Sequence, residues 1–88
     1  MEKQFFETIV NGNHKLGCNE YVMGKISGIE YALCGQGAKK QFPWDYNPET
    51  GNHRMKTFCT EEEYTNFTNT IEYLYPGLCI FNYQERYD

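Results

Sequence analysis

The chain has 88 residues, and twelve acidic against eight basic side chains give it a formal net charge of −4. That length supports one domain, residues 1–88, with a modest core burying roughly 60–65% of the surface an unfolded chain exposes, and so argues against a large active-site cleft. The acidic balance argues against a nucleic-acid binder, which needs a cationic footprint, and no apolar run approaches the length of a membrane span.

Aromatic residues make up 17% of the chain, eight of them tyrosine. A core this small cannot hide so many rings, so some must face outward, where rigid rings with a polar edge favour binding. The opening Met1-Glu2-Lys3-Gln4-Phe5-Phe6-Glu7 has neither an apolar core nor a small-residue cleavage site, and the expected setting is cytoplasmic. There, Cys18, Cys34, Cys59 and Cys79 are expected to be reduced thiols used as small hydrophobes.

In chain order, Gln4 to Val10 alternates as a strand with Phe6, Thr8 and Val10 on one face, and Asn11-Gly12-Asn13 is a turn signal. Residues 19–34 read as a hairpin about Ser27-Gly28. In that register Val22, Ile26, Ile29, Tyr31 and Leu33 share an apolar face, Lys25 faces Glu30 on the other, and Tyr31 covers Gly24. Residues 35–52 read as a long loop, which in a compact domain is a functional signal. Arg54 to Phe58 is a weaker strand leading into Thr60-Glu61-Glu62-Glu63, a capping box whose three glutamates suit the positive end of a helix. Tyr64, Phe67, Ile71 and Leu74 continue that helix as an apolar stripe, Pro76-Gly77 stops it, and residues 78–83 return as a strand. The expected fold is α+β: a mainly antiparallel four- to five-stranded sheet with one C-terminal helix packed on one face, in the order β-β-β-loop-β-α-β.

Four patterns bear on chemistry. Gly35-Gln36-Gly37-Ala38-Lys39-Lys40 has the glycines and lysines of an anion-binding turn but not P-loop spacing, and reads better as a solvated turn. His14, Cys18, His53 and Cys59 could supply four metal ligands, but they lack the short paired spacing of zinc motifs. Cys34 is the leading candidate nucleophile but has no orienting base in sequence, and Glu61 to Glu63 are accounted for by the helix start. No cofactor or metal is implied.

Phe42, Trp44 and Tyr46 follow no core period. They either fold back over a sheet edge or serve as partner anchors. The candidate contact surface is therefore Lys39, Lys40, Phe42, Trp44, Asp45, Tyr46 and Arg54, with Tyr83 and Tyr87 of the C-terminal segment beside it.

In size, acidity, reduced cysteines and richness in Asn and Tyr, the chain resembles small phage-encoded host-takeover and anti-defence proteins, including the anti-CRISPR inhibitors. The resemblance covers composition and size, and no residue roles come with it. It implies a non-enzymatic inhibitor that binds a larger host nuclease or defence enzyme through a basic surface, with no direct contact to nucleic acid or membrane. The alternative is a nucleotide-signal binder, in which Trp44, Tyr46 or Phe42 stacks on a base while Lys39 and Lys40 hold phosphates. Such a small binder would self-associate to build its pocket.

Overall fold

The computed structural model describes residues 2–16, 20–34 and 45–82. Among them the order is β1 (Lys3–Val10), α1 (Glu20–Cys34), β2 (Asp45–Asn47), β3 (Asn52–Thr60), α2 (Glu61–Leu74) and β4 (Cys79–Asn82). The strands form one sheet in the order β2-β3-β1-β4, with every neighbouring pair antiparallel. β1-α1-β2 straddles β3, and β3-α2-β4 straddles β1: two interlocked split β-α-β units, the ferredoxin-like topology. The α+β class and the antiparallel sheet agree with the sequence reading. The element order does not, because there are two helices and the first lies between β1 and β2.

β1 is central. Phe6, Thr8 and Val10 face the core as the alternation predicts, and the strand pairs with β3 along its whole length and with β4 over its second half. The helix at Thr60 also forms as expected. The Thr60 hydroxyl accepts from Glu63 N (3.1 Å) and the Glu63 carboxylate accepts from Thr60 N (2.9 Å), completing the capping box. Tyr64, Phe67 and Ile71 are fully buried. Leu74, expected in the same stripe, is exposed at the last residue of the helix. Gly77 adopts φ 78° just past the helix and lets the chain turn into β4.

The hairpin expected over residues 19–34 is instead helix α1. Val22, Ile26, Glu30 and Cys34 recur every fourth residue and are buried, with Ile29 and Leu33 packed beside them, so the apolar spacing satisfies a helical period as well as an alternating one. Gly24 and Gly28 carry the local preference for a turn, and packing against α2 and β3 overrides it. Two details of the hairpin fall with it. Tyr31, assigned to the core, is 50% exposed, because it lies on the opposite side of the helix from Val22. Glu30, expected to pair with Lys25 at the surface, is fully buried and accepts a hydrogen bond from Thr57 Oγ1 on β3.

The core is tied together by Tyr64. Its ring stacks on Phe6 at 4.4 Å between centroids, and its hydroxyl donates to the Glu7 carbonyl (2.7 Å). That donation uses its one proton, so at the Thr8 hydroxyl (3.0 Å) it is the acceptor. α2 is thereby fastened to the central strand by both apolar and polar contacts.

Thr60→Ala should lower stability by about 1 kcal/mol through loss of the cap, read from urea unfolding. A side chain at Gly24 or Gly28 would meet no atom within 4 Å, so Gly24→Ala and Gly28→Ala should each raise stability by roughly 0.5–1 kcal/mol. Destabilisation by either change would show that α1 is not helical there.

Candidate functional site

Partners directly opposite in an antiparallel pair project to the same side of the sheet. The core side takes Phe6, Thr8 and Val10 of β1 and Met55, Thr57 and Cys59 of β3, so the alternate residues face away from the helices. Reading across β3, β1 and β4, one row holds Phe58 and Phe5, the next Lys56, Glu7 and Asn82, and the next Arg54, Ile9 and Ile80, with Asp45 of β2 beside Arg54. The helices pack on the opposite side.

Two features organise this outer face. Phe5 and Phe58 pair with ring centroids 4.8 Å apart, tilted by 45°, and Phe58 remains 41% exposed. Beside them runs a polar belt that touches all four strands. Asn82 Nδ2 donates to Glu7 Oε1 (2.7 Å), Arg54 Nη1 donates to Glu7 Oε2 (3.4 Å), and Arg54 Nη2 donates to Asp45 Oδ2 (2.7 Å). Ile9 and Ile80 lie side by side next to this belt, and Ile80 is 53% exposed. Where β2 meets β3 the surface dips into a concavity of about 460 Å³, whose lining includes Glu7, Asp45, Arg54, Tyr46, Pro48 and Thr50.

The β2–β3 connection shapes that concavity, and here the expected loop over residues 35–52 is corrected: from Asp45 onward it holds β2 and a hydrogen-bonded turn. The Asn47 carbonyl accepts from Gly51 N (2.7 Å), and the Asn47 side chain accepts from Glu49 N (2.9 Å). Gly51 has φ 78°. The segment after β1 presses against this turn. Gly12 N donates to Asn52 Oδ1 (2.9 Å), and a Cβ at Gly12 would stand 2.0 Å from the Gly51 carbonyl oxygen, so only glycine fits.

Of the residues singled out in sequence, Asp45, Tyr46 and Arg54 meet at the concavity, with Tyr46 also packed on the His53 ring at 4.8 Å. Lys39, Lys40, Phe42, Trp44, Tyr83 and Tyr87 lie outside the described residues, as does Cys18. Sequence reasoning missed Phe5, Phe58, Glu7 and Ile80. The alternation that placed Phe6, Thr8 and Val10 inward also places Phe5 and Glu7 outward, but nothing local says that the outward side stays uncovered.

The remaining candidates separate in space. His14 holds the β1–α1 connection, bonded to the Pro76 carbonyl (3.1 Å) and to Leu16 N (3.1 Å), while Cys59 is in the core. Among the described residues no group of three or more His, Cys, Asp or Glu side chains could hold a metal ion. Cys34 is buried, and the adjacent Cys59 thiol together with burial pushes its own thiol up. That is the opposite of what an activated nucleophile needs. Among the described residues no helix is long and apolar enough to cross a membrane.

Comparison with family models, curated proteins and solved structures returns no match. The functional reading therefore rests on the outer face.

Arg54 and Asp45 have half or more of their side chains exposed, so water and salt screen the pair. Arg54→Ala should cost no more than about 1 kcal/mol of stability, and less at high salt, measured by urea unfolding at two ionic strengths. A larger, salt-independent loss would show that the belt is structural rather than a surface arrangement.

Proposed function

We propose that the chain is a non-enzymatic protein-binding module that docks a larger partner through the outer face of its sheet. It would act as an inhibitor of the anti-defence type, covering the working surface of a host nuclease or defence enzyme. The observation that carries this reading is two apolar pairs, Phe5 with Phe58 and Ile9 with Ile80, set on either side of the Glu7 row on a sheet face that the two helices leave uncovered. Apolar side chains grouped on one face and bordered by fixed polar groups are what protein interfaces use as anchors and rim. Asp45 and Arg54 then form the rim at the β2 edge. The net charge of −4 and the excess of one carboxylate over Arg54 in the belt favour a basic partner surface.

The concavity supports a second reading, because its volume lies within the range of small-ligand pockets and Tyr46 stands at its edge. Its charged lining disfavours a phosphate: Arg54 is already engaged by Glu7 and Asp45, and both carboxylates repel an anion.

The test is capture from host lysate by the immobilised chain. Phe5→Ser with Phe58→Ser should remove the captured protein while shifting the melting temperature only a few degrees. Tyr73→Ala, on the helical layer at an 85% exposed position, should leave capture intact. Loss of capture with Tyr73→Ala but not with the phenylalanine pair would move the interface to the helices. A nucleotide that raises the melting temperature by several degrees, with no protein captured, would favour the small-molecule reading.

A further inference from the structure

α1 and β3 run side by side in matched steps. Four residues of helix advance about 6 Å and two residues of strand about 6.6 Å, so a contact between one residue of each element predicts another four and two residues further on. Glu30 and Thr57 make one such contact, hydrogen bonded in the core. The next step is Cys34 and Cys59, both buried and both free, and the nearby Cys59 thiol helps push the Cys34 thiol up. Cys34 Sγ also lies 4.0 Å from the Glu63 carbonyl, so the pair sits where the end of α1, the end of β3 and the first turn of α2 converge.

We propose that Cys34 and Cys59 are a disulfide-forming modification site that reacts with a small disulfide oxidant such as oxidised glutathione. One cysteine thiolate attacks a sulfur of the oxidant, forming a mixed disulfide and releasing one glutathione thiolate. The second cysteine thiolate attacks the protein sulfur of that mixed disulfide, closing the Cys34–Cys59 bond and releasing the second glutathione. Two protein thiols are oxidised, one glutathione disulfide is reduced to two thiols, and the two protons leave the cysteines for the glutathiones. Because both sulfurs are buried, the exchange waits for the last turn of α1 to open. Once closed, the bond fastens the two elements around a loop that contains β2, with Asp45 and Tyr46, and most of β3, with Arg54. The redox state thus sets how firmly one side of the outer face is held to the helical layer, whatever that face binds.

The full chain is incubated with oxidised glutathione in urea just below the unfolding transition, then returned to buffer for intact mass, peptide mapping and thermal melting. The expected product has lost the mass of two hydrogens, yields a cross-linked peptide joining Cys34 to Cys59, and melts more than about 5 °C higher, with reversal by dithiothreitol. Persistent glutathione adducts, a bridge through Cys18 or Cys79, no oxidation, or a lower melting temperature would overturn the proposal. The Cys18→Ser, Cys79→Ala variant, which keeps only this pair, should give the same bridge. If that variant does not fold, the peptide map of the unaltered chain decides the outcome.

Discussion

The rest of the structure depends on the handedness of two chain crossovers. β1 and β2 run parallel to each other with β3 between them, and β3 and β4 run parallel with β1 between them. A right-handed connection is nearly obligatory for each, because a right-twisted strand leading into a right-handed helix packs back on the sheet only that way. The two crossovers travel in opposite directions from strands of opposite sense, and rotating one by half a turn about the sheet normal gives the other. Both helices therefore land on the same face. The core is built there, and the other face has no element of the described chain to cover it.

This one-sidedness makes the two alternating sets of side chains unequal. Inward residues of β1 and β3 can be apolar or, where polar, must find partners in the core. Thr8 meets Tyr64, and Thr57 meets Glu30, since a buried polar group without a hydrogen bond is costly. Outward residues are free of that demand, and what they hold is informative: Phe5 with Phe58, Ile9 with Ile80, and a chain of charge-assisted bonds from Asp45 through Arg54 and Glu7 to Asn82. Phe58 stays 41% exposed beside the half-buried Phe5 on the two central strands. The polar belt gives the surface a defined geometry.

Parts of this arrangement were legible because their causes are local. A capping box needs only Thr60 and Glu63, three residues apart, and the stop needs only Pro76 and Gly77. The strand period of residues 4–10 is carried by its own side chains. The candidate site was legible in part: Asp45, Tyr46 and Arg54 were singled out together, and all three line the concavity beside β2. α1 was illegible for a specific reason: its apolar residues fit both a two-residue and a four-residue period, and Gly24, Ser27 and Gly28 favour a turn when only neighbours in sequence are weighed. The helix wins through contacts with α2 and β3, whose residues lie far along the chain.

By itself the sequence determined where α2 begins and ends, that residues 4–10 have an inward and an outward side, and that a core this small leaves rings at the surface. Those outcomes follow from backbone hydrogen bonding and side-chain period, which act over a few residues. Only the tertiary structure decided that residues 20–34 form a helix, that Phe5 and Phe58 become neighbours, that Glu30 is buried, and that Cys34 and Cys59 share the core. Each of these depends on strand order and on which side of the sheet the crossovers take, and both are set by packing between segments distant in sequence.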